Sequence, residues 1–174
     1  KDLNIEYTYP EATFTEGSYR TVRDAISDIQ DIEPGKEVTD SYFTLPPHPE
    51  AQGLEKELRG RCLHNHITTA TRETALSRFK ALKAGENFHD LSPELKTTYS
   101  NAERTQNTIY MRLKYDEPSG TVVNVRKSMW IHPELDRAIS IREAARLQTF
   151  PDTFIFEGTK DSQYQQVGNA VPPY

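Results

Sequence analysis

Cys62, His64 and His66 alternate along the stretch CLHNH, so in extended backbone their side chains share one side. A thiolate and two imidazoles in that pattern are competent zinc ligands. A closed zinc site needs a fourth ligand at defined spacing, and the chain has no second Cys/His cluster to supply it. Cys62 taken as a nucleophile fares no better, because nothing near it in sequence marks an activated thiol. Asp116 and Glu117 are adjacent carboxylates, but they run into Pro118-Ser119-Gly120, which is turn chemistry rather than an acid–base pair. No GxGxxG, Walker loop, GxSxG or HExxH is present. Spacing rules alone thus find no metal and no catalytic centre, and core or surface roles stand for these residues.

The elements that would hold any site read as a mixture of short helices and strands. Val22, Ala25, Ile26 and Ile29 recur at helical spacing and predict a helix over 19–32, ended by Pro34-Gly35. The proline-rich SYFTLPPHPE (41–50) reads as a connector and a domain boundary. A strand from Leu63 gives way to a helix from about Thr71, with Ala75, Leu76, Phe79 and Leu82 as its apolar stripe and Gly85 beyond it. Residues 84–107 are loop-rich; TIYMRLKY (108–115), TVVNV (121–125) and Met129 to Ile131 carry strand signals. SIREAARLQTF (140–150) predicts a helix opened by a Ser140–Glu143 capping box and stopped by Phe150-Pro151. Phe154, Phe156 and Tyr164 place aromatics in a packed loop. In YQQVGNAVPPY (164–174), Gly168-Asn169 reads as a tight turn and the prolines as the start of a helix. Residues 1–18 read as irregular, broken by Pro10 and Gly17.

Composition bounds the class. The 174 residues are 35% hydrophobic and 27% charged, which suits a folded, polar chain with a modest core. No stretch approaches the roughly 20 apolar residues of a membrane span, and the first residues carry no signal-peptide pattern. One cysteine allows no internal disulfide, so a cytoplasmic location is expected. The net charge of −5 is unevenly spread: −8 over residues 1–57, but +5 over 59–83, from Arg59, Arg61, Arg72, Arg78, Lys80 and Lys83 against Glu73. Such a block either faces a polyanion or forms a solvated helix face.

The C-terminal third adds a resemblance. RAISIREAARLQTFPDTFIFEG (137–158) followed by YQQVGNAVPP (164–173) is similar to the last two conserved motifs of the DNA cytosine-5 methyltransferases, in order and at family spacing, with Ile139, Ser140 and Val167 as conservative departures. YRTVRDAISDI (19–29) resembles the segment after the family's central catalytic motifs. NHITTATRETALSRFKALKAGENFHDLSPEL (65–95) and RLKYDEPSGTVV (112–123) resemble the target recognition domain of bacterial members.

The resemblance implies an α+β fold. It consists of a small mixed recognition domain plus the C-terminal segment of a Rossmann-like α/β catalytic domain whose remainder the chain lacks. Residues 1–50 would be linker and helix, 51–131 the recognition domain, and 132–174 the return to the catalytic domain. In the family a target cytosine is flipped out, a cysteine thiolate adds to carbon 6, and carbon 5 takes the methyl of S-adenosylmethionine. The motifs carrying the Pro-Cys nucleophile and the Glu-Asn-Val acid are not in these residues, so no catalytic residue and no metal is expected here.

Residue by residue, Thr121 and Val122 match a family pair that contacts the DNA backbone, the alternative being an ordinary strand pair. Arg126 and Lys127 follow as candidate phosphate clamps, the alternative being a solvated strand end. Asn169 and Ala170 match positions lining the S-adenosylmethionine pocket, with a helix cap as a compatible role for Asn169. Arg137, Arg142 and Arg146 are implied to be structural. Base-reading residues would lie within 59–111 and 116–130. The partners implied are duplex DNA and a separate N-terminal catalytic portion, as in restriction-modification enzymes, with the chain inactive alone. A stand-alone DNA-binding subunit that joins a catalytic chain is the alternative.

Overall fold

Two helices of this chain begin in the same way, with a side-chain box plus carbonyls lent by a distant segment. Helix α1 (Val22–Ile26) is opened by Thr21, whose hydroxyl accepts from the Asp24 amide while the Asp24 carboxylate accepts from the Thr21 amide. Its next two amides donate outward, Val22 to the Glu117 carbonyl at 3.0 Å and Arg23 to the Tyr115 carbonyl at 2.9 Å. A tighter turn over Ser27–Ile29 continues it, so the expected helix over 19–32 is confined to these eight residues. Val22, Ala25, Ile26 and Ile29 are its buried face, as the spacing predicts.

The computed structural model describes residues 8–172 except 10, 13, 16 and 41, so most of the irregular segment expected over 1–18 and the final Pro173-Tyr174 lie outside the described residues. After α1, strand β1 (Phe43–Thr44) pairs antiparallel with β2 (Cys62–Leu63), and helix α2 (Gly53–Leu58) lies between them. The strand expected over 63–71 is cut to β2 because Asn65 turns left-handed at φ 59°. Helix α3 (Glu73–Ala81) follows, starting just after the expected Thr71, and the four-residue helix α4 (Pro93–Lys96) has its proline in the first turn.

The strands expected over 108–115, 121–125 and 129–131 do not form. Tyr110 and Met129 are left-handed, at φ 53° and 52°, which breaks the extended path twice. Only isolated bridges remain, Arg112 with Ile131 and Ile131 with Ala138. Residues 125–128 are instead helix α5 (Val125–Ser128), capped by the Asn124 side chain and ended by left-handed Met129. The β-branched residues are buried singly, Val122 and Val125, rather than along a ladder.

Helix α6 (Ile141–Leu147) has the predicted Ser140–Glu143 capping box. Its next two amides, Ile141 and Arg142, donate to the carbonyls of Ile67 and Asn65 at 2.9 and 3.0 Å, so the kink at Asn65 serves as a cap for α6. Helix α7 (Lys160–Asn169) corrects two expectations. Tyr164 lies in this helix and not in a loop, and Gly168-Asn169 closes the helix instead of forming a turn before another. Thr159 caps its start, and Gln163, Tyr164 and Val167 form a buried stripe that a mostly polar sequence conceals.

The main core draws Ile26, Leu58, Leu63, Trp130, Ile141 and Tyr164 into one cluster. A second cluster, around Phe79, Phe88, Leu91 and Tyr110, packs α3 and α4 against the 109–131 segment. Each such apolar side chain, once buried, stabilises the fold by about 1.5–3 kcal/mol.

Candidate functional site

Arg137, Arg142 and Arg146, the arginines expected to be structural, hold interior positions around α6. Arg146 is fully buried; its Nε and Nη2 donate to the two oxygens of Asp152 at 2.9 and 2.7 Å, and its Nη1 to Asp28 at 2.5 Å and the Ala25 carbonyl at 3.1 Å. Asp28 also binds Arg59, and Asp152 accepts from the Gly60 amide at 3.0 Å. Arg142 donates to the carbonyls of His64, Pro151 and Phe154. Burial pulls its guanidinium down to about 10, because its one carboxylate neighbour, Asp152, is 3.9 Å away. Arg137 grips both oxygens of Glu143 at 2.7 and 2.6 Å. Burial alone would raise the Glu143 carboxyl, but the Arg137 charge and its hydrogen bonds override this and hold it at about 2. These residues brace α6 against its surroundings, the structural role expected of Arg137, Arg142 and Arg146.

The histidine–cysteine alternation resolves into separate contacts. His66 Nε2 donates to the Ile32 carbonyl at 2.9 Å and its Nδ1 accepts from the Ser140 hydroxyl at 3.0 Å. Cys62 Sγ meets the Tyr42 hydroxyl at 3.1 Å. Among the described residues no three His, Cys, Asp or Glu side chains are grouped to hold a metal.

Helix α6 ends at a junction. Gln148 is buried, and its side-chain amide donates to the carbonyls of Ala170 at 3.1 Å and Val167 at 3.2 Å, with the Val122 carbonyl at 3.5 Å. One carboxamide thereby ties the end of α7 and the 121–122 segment to the end of α6. The next residue, Thr149, is left-handed at φ 61°, and its buried hydroxyl has no partner among the described residues. Gly168 completes the junction. A β-carbon there would sit 2.9 Å from the Val123 carbonyl carbon and 3.0 Å from the Asn124 nitrogen, so the backbones touch only because the residue is glycine. Asn124 Nδ2 in turn donates to Gln165 at 3.0 Å.

A cleft of about 470 Å³ opens beside this junction, lined among others by Arg20, Thr121, Val122, Gln148, Thr149 and Ala170. The structure therefore brings Thr121, Val122 and Ala170 together. Thr121 is exposed and Val122 is buried, so the pair is divided between a surface hydroxyl and a packing group. Asn169 stands at the exposed end of α7, its Oδ1 accepting from Gln165 at 2.6 Å. Arg126 and Lys127 lie apart, exposed on α5, where Arg126 pairs with Asp161 of α7. The basic block does not survive as one face. Arg59 is taken by Asp28, and Arg78 is buried, donating to the Leu95 carbonyl, the Tyr110 hydroxyl and Thr98. Gln148 and Gly168 escaped prediction as junction residues, because the contacts that define the junction join segments far apart in sequence.

A family model for C-5 cytosine-specific DNA methylase matches residues 1–174, the whole chain. The chain belongs to the C-5 cytosine-specific DNA methylases. Among this family, the type II methyltransferase M.DdeI of Desulfomicrobium norvegicum is 34% identical over 190 residues, covering 99% of the chain and 45% of the relative. DNA (cytosine-5)-methyltransferase 4 of Arabidopsis thaliana is 33% identical over 184 residues, covering 88% of the chain and 12% of the relative. The chain thus spans less than half of either methylase. A solved structure described as a DNA modification methyltransferase encoded within a prophage (E. coli) superimposes with a TM-score of 0.64 at 25% identity, over 87% of this chain and 42% of that one. The small mixed helix-and-strand fold is therefore one that DNA methyltransferases use. Among the described residues no helix is long and apolar enough to cross a membrane.

Of the two residues matched to the family's S-adenosylmethionine pocket, Ala170 lines the cleft and Asn169 stands beside it without lining it. Ala170 gives the cleft a small wall, and the Asn169 side-chain Nδ2 hydrogens make no hydrogen bond among the described residues.

Proposed function

We propose that this chain forms the DNA-recognition part and one edge of the S-adenosylmethionine site of a DNA cytosine-5 methyltransferase, with the nucleophile coming from residues outside it. In this reading residues 51–131 carry recognition and 132–174 return to a Rossmann-like catalytic domain. The observation that carries it is the junction at Gln148. There the segment matched to DNA-backbone contact, Thr121-Val122, and the segment matched to the cofactor, Asn169-Ala170, are fastened to one side chain.

Each residue has a definite task. The Thr121 hydroxyl donates to a phosphate oxygen and sets the position of the duplex without reading its sequence. Val122 anchors that hydroxyl by packing into the core. Arg126 and Lys127 neutralise phosphates farther along the backbone. Asn169 hydrogen-bonds the cofactor, and Ala170 leaves room for it. The cofactor, when bound, supplies the electrophilic methyl group. The buried arginine network keeps α6, and through Gln148 the cleft, from shifting when DNA binds.

The test is transfer of labelled methyl from S-adenosylmethionine to duplex DNA. The chain alone should transfer none; mixed with a catalytic portion bearing Pro-Cys and Glu-Asn-Val, it should support transfer. Turnover by the chain alone would overturn the reading. Stable association of the two separately produced portions would favour a natural subunit.

A further inference from the structure

A cavity of about 270 Å³ beside α5 is lined by Thr69, Arg126, Lys127 and Tyr164, together with the apolar Val125, Met129 and Ala138, and by no carboxylate. Two of these residues are cationic. The Thr69 Oγ1 is buried and has no hydrogen-bond partner among the described residues. A buried hydroxyl without a partner is costly unless a ligand completes it. Lys127 is exposed, and its ammonium makes no hydrogen bond or ion pair among the described residues. Arg126 is held by Asp161, but both side chains of that pair are substantially exposed, at 39% and 63%. Exposed ion pairs of this kind are weak and exchange readily for another anion.

A hydroxyl donor, an ammonium and a guanidinium around a small cavity match a tetrahedral, multiply accepting anion. We infer that Thr69, Arg126 and Lys127 form a binding pocket for one backbone phosphodiester of duplex DNA, with Asp161 as the internal anion that the phosphate displaces from Arg126. This rests on the reading of the chain as the DNA-recognition part of a methyltransferase. It adds Thr69, which lies 57 residues before Arg126 in sequence, and it gives Asp161 a competitive role. Because Asp161 lies in the first turn of α7, filling the pocket also releases a tether on the helix that ends at Asn169.

The experiment is equilibrium binding of the protein to a fluorescent duplex across a salt series. Lys127→Gln should reduce the slope of log affinity against log salt by about one, the signature of one lost phosphate contact. Thr69→Val should weaken binding by about fivefold with no change of slope, since a neutral hydroxyl releases no counterion. Thr69→Ser, which keeps the hydroxyl, should bind as the parent does. Asp161→Asn should strengthen binding. Inorganic phosphate at matched ionic strength should not displace the duplex; displacement would assign the pocket to a free phosphate and overturn the proposal. If the parent binds duplex DNA but Lys127→Gln keeps its salt slope and Thr69→Val its affinity, the pocket is wrong and the methyltransferase reading stands. A parent that binds no duplex DNA overturns both.

Discussion

The side-chain amide of Gln148 donates to the backbone carbonyl of Ala170 at 3.1 Å. The same amide serves Val167, which also accepts from the Ala170 amide, so replacing it by an apolar group of similar size leaves the Ala170 carbonyl without this donor. Gln148→Leu should cost about 1–3 kcal/mol of stability, read as a lowered urea midpoint at unchanged slope. Cofactor affinity should fall with it, because Asn169 and Ala170 lose their anchor.

Thr149 should respond in the opposite direction. It is a β-branched residue held at φ 61° just past the end of α6, a position that favours glycine, and its hydroxyl is buried without a partner among the described residues. Left-handed backbone costs a side-chain-bearing residue about 1–2 kcal/mol. Thr149→Gly should therefore raise the unfolding free energy by about 1 kcal/mol, read as a raised urea midpoint; a lowered midpoint would mean that the methyl packing of Thr149 outweighs its strain.

Gly168→Ala sets two effects against each other. Helix propensity favours alanine by about 1 kcal/mol. Against this, the new β-carbon meets backbone atoms of Val123 and Asn124 at 2.9 and 3.0 Å, and backbone cannot rotate away. Overpacking of this kind costs typically about 1–3 kcal/mol, so the substitution should destabilise. It should also weaken duplex binding, since relief of the clash moves the 121–125 segment.

Acid should unfold the protein in two stages. Burial lowers the His132 imidazole from its ordinary 6.5 to about 4, and its Nδ1 accepts from the amides of Glu134 and Leu135, which requires the neutral ring. A depressed folded value means that the unfolded chain takes up the proton first. Stability is then fully present above pH 6.5 and is lost as pH falls towards 4. Glu143, held at about 2 against an ordinary 4.5, adds a second loss between those values. Melting temperatures measured from pH 7 down to 3 should show both slopes. In His132→Asn, whose oxygen replaces the accepting nitrogen, the upper slope should shrink but not vanish, because burial also lowers the His66 imidazole.

In the enzyme reconstituted with its catalytic portion, Asn169→Ala should weaken S-adenosylmethionine binding by about tenfold, as expected for losing one hydrogen bond to a charged ligand, and leave duplex affinity alone. Calorimetric titration of each ligand separates the two. The reverse pattern would reject the assignment of Asn169 to the cofactor.

What the sequence disclosed was mostly local. The Ser140–Glu143 box, the buried face of α1 and the two long motifs at 137–158 and 164–173 are all set by spacing within a few residues. The failures have physical causes of the opposite kind. The 108–131 region has strand composition, but left-handed Tyr110 and Met129 interrupt it, and nothing about a tyrosine or a methionine announces that geometry. Helix α7 hides a fully buried Tyr164 and Val167 among polar neighbours. The arginines of α6 were expected to be structural, but their partners were not legible, because Arg146 finds Asp28, 118 positions away, only in the folded chain. In the candidate site, the motif match pointed to Thr121 and Ala170, while the carboxamide that joins them was visible only in three dimensions.

The main core has a consequence for how the protein is made. Val22, in the first helix, and Val167, in the last described one, belong to the same cluster, and Tyr164 beside Val167 is fully buried. At the usual pace of translation, on the order of ten seconds separates the emergence of these two ends from the ribosome. Until α6 is out, the face of α1 meant for it has no native cover, and the cluster is completed only when Tyr164 and Val167 follow. Nascent chains of this protein are therefore expected to need a holding chaperone until α7 is out, and stalling just before residue 160 should leave a species that aggregates.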